Sequence, residues 1–237
     1  MNPRDSRRGE SEDLFGAGRE HAIERMFDRA ARRYDLLNRL LTFGLDRRWR
    51  RRSVQRLGLP AGSFVADLAC GTGDFCGDLQ RAGHAVLGVD FSAGMLRHAT
   101  TSAPLVRADV LRLPLGDGTV DGAVCGFALR NLADLETFFV EVARIVRPGG
   151  RIALLEVAEP TCRVFRWGHH LYFGRVVPII GGLLSDRAAY RYLPESVKLL
   201  PTPEQLAEQL AAAGFDEVGH DLLSSGIAQL FTATRYR

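Results

Sequence analysis

Three aspartates stand at or near the ends of three successive short apolar runs, and their carboxylates could hold a polar ligand. Asp67 lies inside the first run, Asp90 ends the second, and Asp109 follows the third. Each alone could be a turn or helix-capping residue. If the runs are parallel strands, however, the three carboxyl ends meet at the edge where α/β sheets bind ligands. Their joint position favours a binding site over three unrelated turns.

The turn after Asp67, Gly71-Thr72-Gly73, allows backbone to approach a ligand closely. The third glycine of a dinucleotide fingerprint is absent because Cys76 occupies its place. A carboxylate just before the turn suits a ligand with a cationic amino group and no pyrophosphate, which favours S-adenosylmethionine over NAD. Asp90 is placed to accept ribose hydroxyls, and Asp109 to accept from the adenine amine while Val110 packs on the ring. The predicted cofactor site comprises Asp67, Gly71, Thr72, Gly73, Asp90, Asp109 and Val110.

The elements that must position these residues alternate between short apolar runs and helical stretches. The predicted strands are 64–69, 86–89, 105–108, 120–125 and 151–157, with a helix over 134–146 closed by Pro148-Gly149-Gly150. This alternation predicts an α/β fold with a mostly parallel sheet and helices on both faces. A helix over 203–213 and strands over 218–222 and 227–234 follow, and we expect these last strands to form an antiparallel pair.

The chain ends and one insertion depart from this alternation. We expect a disordered tail over 1–19 and a single domain over 20–237. Residues 20–60 form a helical cap, in which Ile23, Met26, Phe27, Ala30, Tyr34 and Leu37 share one face of a helix and a second helix covers 47–57. Residues 161–192 are too apolar for an ordinary loop. They are either an extra pair of core helices or a lid-like insertion, hinged at Gly181-Gly182, that forms a wall for an apolar ligand.

Composition narrows the function further. The net charge of +3 is too small to indicate nucleic acid as a partner, and no apolar run is long enough for a membrane-spanning helix. The first 20 residues lack the apolar core of a secretory signal. The four cysteines have no metal-ligand spacing, so we expect reduced thiols, no metal and a cytoplasmic location. The arginines around Trp49 (Arg47, Arg48, Arg50, Arg51 and Arg52) form either a solvated helix face or a surface that attracts anionic headgroups.

Four segments together resemble the ubiquinone/menaquinone biosynthesis C-methyltransferase family. They are Tyr34–Trp49, Phe127–Asn131, Arg144–Gly150 with Leu155-Glu156, and Tyr190–Ser196. The resemblance implies a Rossmann-like class I methyltransferase fold with S-adenosylmethionine as co-substrate. It also implies methylation of a ring carbon on a prenylated quinol, with demethylmenaquinol favoured as the substrate. A membrane-surface association and a homodimer are compatible with this assignment.

The catalytic candidates follow from what such a reaction needs. A quinol ring carbon becomes nucleophilic when the neighbouring hydroxyl loses its proton, so the site must stabilise a phenolate and accept a proton. Arg130 is a candidate for pairing with the phenolate and orienting a water, since arginine is a poor base. Asn131 and Tyr34 could hold the ring or that water. The alternatives are a structural ion pair for Arg130 and core packing for Tyr34; His169 and His170 are further candidates for a base.

Several positions depart from the family pattern. They include Thr42, Ala158 and Ala128, and also Phe231, where a histidine is usual. We expect Phe231 to touch the acceptor pocket. Alternatives therefore stay open: the ubiquinone-branch precursor, another apolar small molecule of secondary metabolism, a non-catalytic cofactor-binding subunit, and an NAD-dependent oxidoreductase.

Overall fold

A computed structural model describes residues 19–158, 160 and 195–236, and a single seven-stranded sheet lies at their centre. Its strands are β1 (Phe64–Leu68), β2 (Ala85–Asp90), β3 (Leu105–Arg107), β4 (Val120–Gly126), β5 (Val146–Val157), β6 (Phe215–Leu223) and β7 (Ala228–Arg235). The order is β3-β2-β1-β4-β5-β7-β6. Neighbours from β3 to β5 are parallel, whereas β7 is antiparallel to both β5 and β6. The predicted mostly parallel sheet with an antiparallel C-terminal pair is therefore confirmed.

Seven helices accompany the sheet within the described residues. They are α1 (Arg19–Ala30), α2 (Tyr34–Leu41), α3 (Leu45–Leu57), α4 (Asp74–Arg81), α5 (Ala93–Arg97), α6 (Leu135–Ile145) and α7 (Pro203–Ala212). Local capping explains where two of them begin. The Asp134 side chain accepts the Thr137 backbone N–H at the start of α6, and Thr202 with Gln205 forms a capping box at the start of α7.

The prediction of one continuous helical face from Ile23 to Leu37 was wrong. A 3₁₀ turn over Ala31–Arg33 separates α1 from α2. The two helices bind different parts of the domain, because Asp28 of α1 contacts the start of α5 whereas Asp35 of α2 contacts the turn after β1. The segment between them contains no glycine or proline, so the different tertiary contacts of the two helices, rather than a helix-breaking residue, account for the interruption.

Apolar side chains cover both faces of the sheet. On one face Phe138 and Phe139 of α6 pack with Phe215 and Phe231 of the antiparallel pair. On the other, Trp49 and Leu57 of α3 pack with Phe75 and Leu79 of α4 and with residues of the central strands. Burial on both faces explains why the central strands are continuous apolar runs rather than alternating ones.

Strand β5 begins earlier than predicted. The helix ends at Ile145 and the strand runs from Val146 through Pro148-Gly149-Gly150, where we predicted a break. The pairing with β4 shifts between Val120 and Gly122, which indicates a bulge. A Cβ on Gly150 would lie 2.6 Å from the Asp121 carbonyl oxygen, so the close approach of strands β4 and β5 requires glycine here.

Several predicted features lie outside the described residues: residues 1–18 of the tail predicted over 1–19, the insertion 161–192 with His169 and His170, and most of the Tyr190–Ser196 motif. Arg19, which we assigned to the tail, is the first residue of α1. The single-domain organisation stays a prediction. No helix in the described ranges is long and apolar enough to cross a membrane. Of the cysteines in those ranges, Cys70, Cys76 and Cys125 are free and buried.

Candidate active site

A cavity opens at the carboxyl ends of β1, β2 and β4, with α1 along one side. Its empty volume is about 870 Å³, including the mouth that opens to solvent. Its position is the one at which open α/β sheets bind ligands. Four predicted cofactor residues line it: Gly71, Asp90, Asp109 and Val110.

Asp90 lines the cavity and also accepts a hydrogen bond from the backbone of the glycine turn. Its Oδ2 accepts the Gly71 backbone N–H at 2.7 Å, and its Oδ1 accepts the Ser92 N–H at 2.8 Å. Burial raises the pKa of Asp90, the two backbone donors lower it, and the charges of Asp28 and Glu24 raise it further. Each carboxylate oxygen retains capacity to accept another hydrogen bond. The side chain can therefore fix the turn and still bind ligand hydroxyl groups.

The two glycines of the turn, Gly71 and Gly73, have different surroundings and different roles. Gly73 has φ 82°, and a Cβ there would lie 2.5 Å from the Thr101 methyl group, so packing excludes any larger residue. Gly71 has φ 56° and faces the cavity, and a Cβ there would meet no protein atom within 4 Å. The Thr72 hydroxyl donates to Asp35 and so holds α2. Thr72 and Gly73 thus shape the turn, and Gly71 presents it to the cavity.

Asp67 lies behind the turn rather than in the cavity wall. It is 1% exposed, its Oδ2 accepts the Cys76 thiol at 3.1 Å, and its Oδ1 has no hydrogen-bond partner among the described residues. Burial is the main cause that raises the pKa of Asp67 to about 7. A buried carboxylate with an unsatisfied oxygen is costly for the fold. Such a group is typical of a functional site, where a ligand charge offsets the cost.

Asp109 and Val110 lie together after β3. The Asp109 carboxylate accepts the Leu111 N–H at 2.9 Å, so the turn role left open for it exists alongside its position on the cavity. Val110 is 6% exposed and presents an apolar surface there. The exposed Asp109 carboxylate can accept a hydrogen bond from an amino group, and Val110 offers an apolar contact beside it. Together the two side chains can bind an aminopurine ring.

The ends of β1 and β4 carry unusual backbone at the cavity. Ala69 has φ 55° and Phe127 has φ 59°, a conformation that side chains other than glycine rarely adopt. Neighbouring groups hold Phe127 there: its N–H donates to Leu155 O at 2.7 Å, and its carbonyl accepts Arg130 Nη1 at 2.6 Å. Strained residues that the surroundings fix in this way cluster at functional sites.

Arg130 and Asn131 follow this strained residue, and only one of them faces the cavity. Arg130 is 6% exposed and its Nη1 pairs with Oε1 of Glu156, which is fully buried. The Glu156 carboxylate also accepts the Arg130 and Val157 backbone N–H groups. Arg130 does not line the cavity, which supports the ion-pair alternative. Asn131 does line it, and its buried Oδ1 has no hydrogen-bond partner in the described ranges.

Tyr34 begins α2, but its side chain is outside the described residues, so its catalytic role stays a prediction. Phe231 requires a correction, because it does not line the cavity. It is 1% exposed and stacks on His220 with ring centroids 4.5 Å apart. Side chains alternate along β7, and this position faces α6 and α7 rather than the cavity. The missing histidine therefore changes core packing, not the wall of this cavity.

Sequence reasoning missed the role of α1. Ile23, Glu24 and Phe27 line the cavity, so this helix face, which we interpreted only as a packing face, forms part of the site. Asp28 fixes the helix by accepting the Ser92 hydroxyl and the Gly94 N–H at 2.5 and 2.7 Å. Glu24 also pairs with Arg107 at 2.9 Å. The alternation of apolar and acidic residues along one helix face was the available signal.

A scan against protein-family models matches residues 16–235 to the ubiE/COQ5 methyltransferase family. A demethylmenaquinone methyltransferase of Thermus thermophilus is 44% identical over 220 residues, covering 89% of this chain and 100% of that protein. One from Corynebacterium kroppenstedtii is 41% identical, covering 91% and 95%. A ubiquinone/menaquinone biosynthesis C-methyltransferase of Syntrophotalea carbinolica is 40% identical, covering 89% and 92%.

Solved structures support the fold. The [4+2]-cyclase SpnF has a TM-score of 0.66 at 17% identity, covering 92% of this chain and 97% of its own. A Haemonchus contortus phosphoethanolamine N-methyltransferase, solved with S-adenosylmethionine, has a TM-score of 0.57 at 14% identity, covering 77% and 51%. At such low identities these likenesses concern architecture alone.

Proposed function

This chain belongs to the ubiE/COQ5 methyltransferase family, and we therefore propose that it transfers a methyl group from S-adenosylmethionine to a ring carbon of demethylmenaquinol, giving menaquinol, S-adenosylhomocysteine and the proton that the ring carbon loses. The observation that carries the proposal is the 44% identity to a demethylmenaquinone methyltransferase across that relative's full length. The cavity supports it independently, because it presents the acceptors that the cofactor requires. The ubiquinone branch is less favoured, since two of the three relatives described above are named for menaquinone alone.

The residues at the cavity fit the cofactor group by group. Gly71 leaves an open face on the turn, and Asp90 has spare acceptor capacity for two ribose hydroxyls. Asp109 and Val110, which line the cavity, would then contact the adenine amine and ring. Asp67, buried behind the turn, supplies negative charge for the amino group through the field it exerts on the turn. When bound, S-adenosylmethionine supplies a methyl group that its sulfonium already activates.

The chain's remaining task is to hold the quinol ring and stabilise its phenolate. Asn131 is the polar side chain after β4 that faces the cavity, and its amide can hold a ring oxygen. We assign Arg130 a positioning role: its contacts with Phe127 O and Glu156 fix the strained turn from which Asn131 projects. Apolar walls that include Ile23 and Phe27 exclude water from the reaction.

The test compares acceptors in parallel. Purified protein is incubated with labelled S-adenosylmethionine and either reduced demethylmenaquinone or the reduced ubiquinone precursor, and extracted lipid is counted. We expect transfer to demethylmenaquinol at least ten-fold faster. Binding is checked separately by the shift in melting temperature with S-adenosylmethionine and with NADH. A shift with NADH alone would support an oxidoreductase, and cofactor binding without transfer to either quinol would support a non-catalytic subunit.

Because a prenylated quinol resides in a bilayer, we also propose that the enzyme associates peripherally with a membrane surface. A homodimer stays a prediction. The apolar segment 161–192 stays a proposed wall for the prenyl tail.

A further inference from the structure

The outer side of α2 and the turn that follows it expose three large apolar side chains. Leu36 is 54% exposed, Leu40 is 45% exposed, and Phe43 in the turn before α3 is 77% exposed. The two leucines are one helical turn apart and share a face, and Phe43 follows three residues later. Single exposed apolar residues are ordinary, but a contiguous group of this size indicates a binding surface.

The outer side of α3 continues this surface with positive charge. Arg47, Arg48, Arg51 and Arg52 are all exposed, whereas Trp49, Ser53 and Leu57 on the inner side are buried. Among the described residues, Arg47, Arg48 and Arg52 have no ion-pair partner, and Arg51 is 3.9 Å from Asp78. Arg50, by contrast, is buried and pairs with Asp46, Asp74 and Asp78. One arginine of the cluster, Arg50, is therefore buried in ion pairs, and the other four are exposed to solvent.

The inner side of the same helices holds the cofactor turn. Asp35 of α2 accepts the Thr72 hydroxyl within the turn. Arg39, one helical turn later, lies 3.8 Å from Asp74 at the start of α4. Whatever binds the outer side of α2 therefore lies next to the end of the sheet at which the cavity opens.

We propose that the outer side of α2 and α3, formed by Leu36, Leu40, Phe43, Arg47, Arg48 and Arg52 and here called the docking face, binds the surface of an anionic bilayer. The apolar side chains enter the interface and the arginines contact phosphate headgroups. The proposal rests on the proposed function, which requires a substrate dissolved in a membrane. Charge selects the partner: unpaired arginines beside an apolar group match an anionic lipid surface, where each basic residue strengthens binding about five-fold.

Vesicle sedimentation tests the docking face directly. Wild-type protein is mixed with vesicles of phosphatidylcholine, with or without phosphatidylglycerol, at low and high salt. We expect binding that requires phosphatidylglycerol and weakens with salt. The double variant R48E/R52E should lose about twenty-fold or more in partitioning, and L36S/L40S about ten-fold. The matched controls V140S on α6, where Val140 is 59% exposed, and K198E, where Lys198 is 63% exposed, should bind like wild type.

All six replaced side chains are exposed, so unchanged melting temperatures are expected and serve as the folding check. Binding that ignores phosphatidylglycerol, or docking-face variants that bind like the controls, would overturn the proposal. If the docking face binds a protein rather than a membrane, its variants will bind vesicles as the controls do, and this result also overturns the proposal.

Activity separates this proposal from the proposed function. The docking-face variants should keep wild-type rates on a short-tailed quinol in solution and lose about ten-fold on a long-tailed quinol in anionic vesicles. Equal losses on both substrates would show that the face acts through the cofactor turn and would overturn docking. If wild type methylates no quinol at all, the proposed function fails, while sedimentation still decides the docking proposal on its own.

Discussion

Asp90 has two functions that a single substitution can expose. It accepts two backbone N–H groups at the glycine turn, and it faces the cavity where ribose hydroxyls would bind. We predict that Asp90→Ala makes the free energy of cofactor binding less favourable by about 2–4 kcal/mol, because charged hydrogen bonds to the ligand are lost. Calorimetry with S-adenosylmethionine measures it, with Asp109→Asn as a milder comparison. An unchanged affinity would remove Asp90 from the site.

Asp67 gives the protein a pH dependence of stability. Its pKa in the folded state is raised to about 7 by burial, above the unfolded value of about 3.9. The folded state therefore binds this proton more tightly, and the contribution of Asp67 to stability falls as pH rises from about 4 to about 7. We predict that Asp67→Asn is more stable than wild type above pH 7 by a few kcal/mol, and that this advantage disappears near pH 4.

The same substitution should weaken S-adenosylmethionine binding, because the negative charge behind the turn is lost. Urea unfolding between pH 4 and 8, together with calorimetry at pH 8, measures both effects. If Asp67→Asn is no more stable than wild type at pH 8, the buried charge of Asp67 does not destabilise the folded protein.

A substitution of Arg130 tests whether this residue positions the strained turn from which Asn131 projects. We predict that Arg130→Lys reduces turnover at least ten-fold with little change in cofactor affinity, because lysine keeps the charge but its flexible stem does not hold a donor in the fixed position from which Arg130 Nη1 contacts both Phe127 O and Glu156. Arg144→Lys is the matched control, since Arg144 also joins several acceptors but lies on α6 and does not line the cavity. Turnover within a few-fold of wild type for Arg130→Lys would leave the ion pair purely structural.

At the scale of elements, α1 covers one side of the cavity, and the hydrogen bonds of Asp28 hold it against the start of α5. Asp28 reaches the start of α5, and a Cβ on Gly94 would lie 2.5 Å from the Asp28 carboxylate and 2.8 Å from its Cα. We predict that Gly94→Ala displaces α1 and speeds S-adenosylmethionine dissociation about ten-fold, although alanine itself favours a helix. Stopped-flow fluorescence measures the rate. A dissociation rate equal to that of wild type would show that α1 does not cover the cofactor.

The elements that the sequence predicted correctly are those with a strong local signal. The central strands are short apolar runs, and α7 begins at Pro203, where we predicted its start, with a capping box from Thr202. The division of the N-terminal helix was not predictable, because Asp28 and Asp35 bind partners far along the chain. The bulge at Gly150 was missed for a similar reason, since the Asp121 carbonyl group that requires glycine there belongs to another strand.

The cofactor site was predictable to the extent that it follows from strand ends. Asp90, Asp109 and Val110 lie on the cavity because parallel strands end at one edge. That Asp67 and Arg130 lie behind the wall rather than on it depends on how the turns after β1 and β4 direct side chains. Sequence spacing carries no information about those directions.

At the scale of the whole molecule, the strand order explains why one cavity collects these groups. The chain leaves β3 at one edge and returns to pair β4 with β1, so the turns after β1 and β4 leave the sheet side by side on opposite faces. A crevice at such a reversal is the general ligand site of open α/β sheets. The helices α1 and α2 complete the molecule by covering the crevice and holding the glycine turn.

The position of the transferred methyl group tests whether the enzyme methylates a ring carbon of demethylmenaquinol. Wild type is incubated with S-adenosylmethionine carrying a ¹³C-methyl group and with reduced demethylmenaquinone, and the extracted product is examined by carbon NMR. We predict one enriched signal at the chemical shift of a methyl group on the quinone ring, and we expect this signal to be absent with Asp90→Ala. Label on oxygen, or no label in the quinone at all, would contradict it.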